Sequence, residues 1–173
     1  MTTINSFVRH INFTQIDGIR FKKLGDFGEQ LAYGILENNG FYEIVDLNKG
    51  KNNFPFADFC GKRNGIKYLI SVKSRNKYEN SGRLNSRYKL GNSATILQKL
   101  KTESKFLEFR DCVPAWLAIS FEEKSFDAYF GTIEQLKNHR AIPMSKKQLA
   151  CYEIFALNKE HDFKPEDFIN KYN

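Results

Sequence analysis

The sequence predicts a single α/β domain in which a mixed β-sheet lies between helices. Three observations carry this: a stretch near the N-terminus with apolar residues every three to four positions, a strand–turn–strand unit centred on Asn64-Gly65, and a second strand pair placed after a further helical stretch. With 173 residues, 41% of them hydrophobic and 16 Phe plus 8 Tyr among them, the chain can bury a core without help from a metal or disulfides. No internal repeat, low-complexity tract or Pro/Gly/Ser-rich linker divides it, so one domain over 1–173 is expected.

Taken in order, residues 11–21 carry apolar residues on either side of Asp17-Gly18, which predicts a short hairpin. Leu24, Phe27, Leu31 and Ile35 predict a helix over 23–39, stopped by Asn38, Asn39 and Gly40. A strand over 41–47 and a polar loop over 48–53 follow. Strands over 56–61 and 66–73 are joined through Asn64-Gly65, a pair suited to the positive φ angles of a tight hairpin turn. Residues 74–92 have almost no apolar side chains and predict a long loop. Ser93 is the expected cap of a helix over 93–109, and strands over 115–121 and 126–131 complete the core. Thr132, Ser145 and Pro165 mark candidate helix starts, so the part over 132–173 is expected to be helical.

Several function classes are excluded or disfavoured. The longest apolar run, 113–119, is far shorter than the roughly 20 residues a membrane helix needs, and the first ten residues have no apolar signal-peptide core. Cys60, Cys112 and Cys151 are odd in number and lack CxxC spacing, which predicts free thiols in a reducing cytoplasm. His10, His139 and His161 show no metal-binding spacing, and no P-loop or GxGxxG is present.

The formal charge of +7 is concentrated. Residues 62–110 hold 13 Lys/Arg against Glu79, Glu103 and Glu108, a local excess of +10 that leaves the remainder at −3. A concentrated excess makes a local field that attracts polyanions. In the loop over 74–92, Arg75, Lys77, Arg83, Arg87 and Lys89 are candidate phosphate contacts, and Tyr78 and Tyr88 candidate base or sugar contacts.

If Asn64-Gly65 are the central turn residues, Arg63 faces Ile66 and Asp58 lies across from Ser71. Lys73 then shares their face, diagonal to Asp58, while Tyr68, Ile70 and Val72 form the opposite, apolar face. On the first helix Glu29 falls at the margin of the apolar stripe, where a carboxylate can lean toward a cleft between helix and sheet. Carboxylates that could bind a divalent cation, a lysine and a basic loop together suit phosphodiester hydrolysis, which needs charge neutralisation and an activated water.

These residues resemble the PD-(D/E)xK nuclease superfamily, which includes many restriction endonucleases and the archaeal-type Holliday junction resolvases. The resemblance runs through Gly28-Glu29-Gln30-Leu31-Ala32, Pro55-Phe56-Ala57-Asp58 and Ile70-Ser71-Val72-Lys73-Ser74-Arg75, and spans about 25–131. It implies a restriction endonuclease-like three-layer sandwich. It also implies Mg²⁺ (or Mn²⁺) held by Glu29 and Asp58, with Lys73 catalytic. Ser71 stands where the motif carries Asp or Glu, and Pro55 is not adjacent to Asp58. Some restriction enzymes of the superfamily also carry a polar residue at that position and supply the carboxylate from elsewhere; Glu29 is the first candidate here, then Glu79 and Glu103.

The expectation is thus a divalent-metal-dependent endodeoxyribonuclease acting on duplex or branched DNA, with Asp58, Lys73 and Glu29 at its centre, Ser71 in a polar supporting place, and a homodimer as a natural way to cut two strands. The alternatives are a catalytically inactive DNA-binding protein of the same fold and, third, a protein-binding module with an acidic partner.

Overall fold

The computed structural model describes residues 15–50, 54–122, 125–137 and 139–157, with side chains from residue 24 onward. The expected terminal helix at Pro165 and the first part of the 11–21 hairpin lie outside these residues.

The first helix, α1 (Gln15–Asn38), begins earlier than the apolar spacing suggests, so 15–21 is helical instead of the second half of a hairpin. Its stop is as expected. Phe41 N–H bonds to Leu36 O and Gly40 N–H to Glu37 O, with Gly40 at φ +80°, which is the paired-bond ending that glycine permits. The Asn39 side chain adds bonds to Ile35 O (2.8 Å) and Phe155 O (2.9 Å), tying the helix end to the far edge of the sheet.

Six strands form the central sheet: β1 (Tyr42–Asp46), β2 (Phe59–Arg63), β3 (Ile66–Asn76), β5 (Val113–Phe121), β6 (Phe126–Thr132) and β8 (Glu153–Leu157), in the order β1-β2-β3-β5-β6-β8. Only the β3–β5 pair is parallel, so the sheet is mixed. β5 is buried on both faces, as its continuous apolar run requires. A separate ribbon pairs β4 (Arg87–Lys89) with β7 (Ala141–Pro143).

The turn chemistry sets the β2–β3 register as anticipated. Arg63 faces Ile66 across Asn64 (φ 51°) and Gly65 (φ 77°), and the pairing runs on to Phe59 opposite Ile70. One face of the sheet packs Ile70, Val72, Leu117 and Phe130 against Leu24, Phe27, Leu31 and Ile35 of α1. The other packs Leu69, Trp116, Ala118 and Tyr129 against Ile96 and Leu100 of α2 (Ser93–Thr102), the 3₁₀ turn Ser104–Phe109 and the β4–β7 ribbon. Three layers result, and the chain has the expected α/β sandwich architecture. Among the described residues no helix is long and apolar enough to cross a membrane.

Four local expectations are corrected. Asn92, not Ser93, caps α2, its side chain accepting from Ala94 N–H at 3.0 Å, while the buried Ser93 hydroxyl donates to Lys137 O. The strand expected from 56 begins at Phe59, because Phe56 adopts φ 63°. The loop expected over 74–92 is mostly ordered: β3 extends to Asn76, β4 occupies 87–89, and 77–85 folds as a tight hairpin with an isolated bridge between Tyr78 and Leu84. The part after 132 is not helical throughout. It holds a 3₁₀ turn (Glu134–Leu136), β7, the short helix α3 (Lys146–Leu149) and β8, which completes the sheet edge. Short strands without a turn signal between them leave little periodicity to read.

α1 sits unusually close to β3. A Cβ placed on Gly28 would lie 1.7 Å from Ser74 Oγ and 2.6 Å from Ser74 Cβ, so rotating the serine alone does not make room. Gly28→Ala is expected to lift the helix from the sheet and destabilise the protein by about 1–3 kcal/mol, despite alanine's better helix propensity. Urea denaturation should show the loss, and adding Ser74→Gly should recover part of it. An unchanged midpoint in the single variant would contradict this packing.

Candidate active site at the open edge of strand β3

The site arises where the β2–β3 ladder ends. β5 accompanies β3 as far as Asn76, whereas β2 starts at Phe59 opposite Ile70, so the last part of β3 is paired on one side only. Asp58 terminates the ladder. Its backbone N–H bonds to Ile70 O at 2.8 Å, its carbonyl accepts from Leu47 N–H at 2.9 Å, and its carboxylate Oδ2 accepts Val72 N–H at 2.6 Å in place of a missing strand carbonyl. Oδ1 accepts Asn48 Nδ2 at 3.0 Å.

Asn48 in turn organises the preceding loop: its N–H bonds to Asp46 Oδ1 (2.8 Å) and its Oδ1 accepts Phe54 N–H (3.0 Å). Edge-to-face contacts of Phe54 with Phe106 and Phe109, and of Phe56 with Phe106, pin the same loop to the second core. A bulky residue at φ 63° is costly, and here it is held two positions from Asp58 by that aromatic packing.

Glu29 reaches the same neighbourhood from α1. Its pKa is pushed up to about 7, first by burial, then by the charges of Asp58, Asp26 and Asp46, with Lys73 acting in the opposite sense. Burial also raises the Asp58 carboxyl, opposed by the Val72 N–H, Lys73 and Asn48, and reinforced by Asp46. Glu29, Asp58 and Lys73 therefore share one electrostatic environment. Lys73 is half-buried, level with Ala118 of β5, and forms no direct ion pair among the described residues.

Asp46 belongs to this group and the sequence did not single it out. It pairs opposite Phe59, next to Asp58, through a β1–β2 contact that includes a register irregularity. The Asp46-x-Asn48 turn pattern was its local signal, but only the strand pairing brings it to Asp58. Ser71 is 3% exposed and faces Trp116 of β5. Of the proposed substitute carboxylates, Glu103 pairs with Lys105 (2.9 Å) and Glu79 lies on the hairpin beyond β3.

The donor chemistry suits a hard divalent cation. Asp58 and Glu29 are carboxylates whose ionised forms are under-compensated by one lysine, and among the described residues each Asp58 oxygen accepts one hydrogen bond, leaving a lone pair for a further partner. Among the described residues no three His, Cys, Asp or Glu side chains form a ready-made cage. Mg²⁺ is commonly bound through one or two carboxylates completed by waters and substrate phosphates.

The basic residues divide. Arg83, Arg87 and Lys89 are exposed, the latter two flanking Tyr88 on β4. Arg75 is half-buried, with Nη1 on Ser74 O at 2.9 Å. Lys77 is engaged by Glu122 (2.9 Å) and Asp127 (3.8 Å), so its charge is largely spent within the protein. Tyr78 is 42% exposed, but Tyr88 is 1% exposed in the second core, which corrects its expected role: a buried ring is a core element and cannot stack on a base. Strand alternation between Arg87 and Lys89 turns it inward.

No family model matches the chain. A stretch of 58 residues, 34% of this chain, is 40% identical to a UPF0102 protein of Aliarcobacter butzleri (strain RM4018). The match spans about half the length of that relative, 52%.

Proposed function

We propose that the protein is a divalent-metal-dependent endonuclease that hydrolyses phosphodiester bonds in DNA. The observation that carries this reading is the convergence of Glu29, Asp58 and Lys73 at the open edge of β3. There, burial and mutual repulsion hold Glu29 near a pKa of 7. The similarity to a UPF0102 protein supports the same reading, because that family falls within the PD-(D/E)xK nuclease-like superfamily that the motifs resemble.

In this reading Asp58 and Glu29 hold the cation, and Asp46, next to Asp58 in the register, supplies the negative charge that Ser71 lacks. A bound Mg²⁺ would offset charge on the scissile phosphate and lower the pKa of water. Lys73 stabilises charge developing on the phosphate oxygens. Asn48 and the Val72 N–H fix the Asp58 carboxylate so that it does not reorganise on binding. Exposed Arg83, Arg87 and Lys89 contact the phosphate backbone, and a homodimer would place two such sites on a duplex.

The test is nicking of supercoiled plasmid with Mg²⁺ or Mn²⁺ against a chelator control. Lys73→Ala should lower the rate roughly 100-fold or more. Metal-independent binding with no nicking of duplex, branched or single-stranded DNA would favour the inactive DNA-binding alternative.

A further inference from the structure

We infer that the hairpin over 77–85 and the cleft at its root form a pocket for one unstacked nucleobase, with preference for bases that carry an exocyclic amino group. This rests on the nucleic-acid part of the function proposed above, but not on cleavage.

The hairpin is ordered. Asn85 N–H bonds to Lys77 O (2.8 Å), Glu79 N–H to Arg83 O (2.8 Å) and Gly82 N–H to Glu79 O (2.9 Å), with Gly82 at φ 77° closing the turn. It carries two exposed apolar side chains, Tyr78 (42%) and Leu84 (40%), bridged across the strands. At its root lies a cleft of about 410 Å³, lined by Arg75, Asn76, Tyr78, Glu79, Ser81 and Asn85 among others. That volume lies in the range of small-molecule sites.

The lining chooses the ligand. Asn76 Oδ1 is buried and has no hydrogen-bond partner in the described structure, an arrangement proteins rarely leave uncompensated. A small turn of the Asn76 side chain into the cleft would bring this acceptor to a donor on a bound ligand. Glu79 is a second acceptor and repels phosphate, so the cleft does not suit the nucleic-acid backbone despite Arg75 on its wall. A neutral, planar group with N–H donors on its edge fits both acceptors. The exocyclic amino groups of adenine, cytosine and guanine supply such donors, each with two N–H bonds, whereas thymine offers a single imino N–H set between two carbonyl oxygens that the two acceptors repel. Tyr78 offers a ring face on which a base can stack, and an ordered hairpin pays little entropy on binding. Asn76 stands three residues past Lys73 on β3, about 10 Å along the strand. A base held there would belong to a nucleotide close to the one being cut.

The experiment uses the full chain carrying Lys73→Ala, without metal, at low salt. Fluorescence anisotropy measures its binding to short labelled single-stranded homopolymers of deoxycytidine, deoxyadenosine and thymidine. Cytosine and adenine strands should bind at least roughly 5-fold tighter than thymine strands. Tyr78→Ala should weaken binding of the cytosine strand roughly 5- to 100-fold, with Tyr78→Phe close to the parent. Asn76→Leu should erase the base preference, and Glu79→Ala, at an exposed position, should reduce it without touching a buried group. Equal affinity for thymine and cytosine strands in the parent, or no effect of Tyr78→Ala, would overturn the pocket. Plasmid nicking by the unaltered chain is read separately. Base preference without nicking removes the nuclease and leaves the pocket; nicking without base preference removes the pocket alone.

Discussion

Asp58→Asn is expected to abolish metal-dependent cleavage, by about 1,000-fold or more, while leaving the fold in place. The amide keeps an oxygen for Val72 N–H, so the end of the β2–β3 ladder retains its acceptor. It loses the charge that a divalent cation requires, and polarisation by such a cation is worth several kcal/mol at a phosphoryl oxygen. Its nitrogen would face the Nδ2 of Asn48, whose own oxygen is occupied by Phe54 N–H. That misfit costs about 1 kcal/mol and is opposed by relief of a carboxylate that burial disfavours. Asp58→Ala is a poorer probe, because it leaves the Val72 N–H unpaired at about 1–3 kcal/mol. Plasmid nicking at fixed Mg²⁺, with a urea denaturation curve for each variant, separates the two effects. Cleavage within tenfold of the parent by a folded Asn variant would remove Asp58 from the cation site.

Glu29→Gln should raise stability and destroy activity together. The folded protein holds the Glu29 proton up to about pH 7, whereas the unfolded chain releases it near 4.5. The folded state therefore binds more protons between these values, and stability falls as pH rises through that window. Below about 4.5 both states are protonated and nothing is lost. Above 7 the whole penalty applies, on the order of 1 kcal/mol once the partial exposure of Glu29 is discounted. Glu29→Gln removes it, so its Tm at pH 8 should exceed the parent's by about 2–4 °C. The difference should vanish near pH 4. Activity should move the other way: parent cleavage at subsaturating Mg²⁺ rises across pH 6–8 as Glu29 ionises, and the variant lacks that rise. A Tm at pH 8 equal to or below the parent's would mean that Glu29 is not held in the environment described. A stabilising change that removes function is the usual sign of a site kept under electrostatic strain.

The parts of the site legible in the chain were those set by local chemistry. Asn64-Gly65 dictated the turn, the turn dictated the register as far as Phe59 opposite Ile70, and Asp58 follows directly at the end of that ladder, bonded to Ile70 O and Val72 N–H. The α1 stripe from Leu24 to Ile35 placed Glu29 on the side facing the sheet. In the sequence Tyr88 looks like a loop residue, because a three-residue strand between basic residues has no periodicity of its own; pairing with β7 more than fifty residues away buries it. The strands after residue 132 are hidden in the sequence for the same reason, since β7 and β8 gain their stability from partners and not from their own propensity.

By itself, then, the sequence determined the α/β class, the strand hairpin that carries Asp58 and Lys73, the helix that carries Glu29 and the location of the positive charge. Each follows from periodicity, turn preference or composition within a short window. The tertiary structure decided which carboxylates keep company. It drew Asp46 beside Asp58, left Glu103 with Lys105, spent Lys77 on Glu122 and Asp127, and formed a cleft whose lining includes Asn76, its amide oxygen unpaired. Those outcomes depend on pairings between distant segments and on burial, and burial sets the pKa of a carboxylate only after the chain has closed around it.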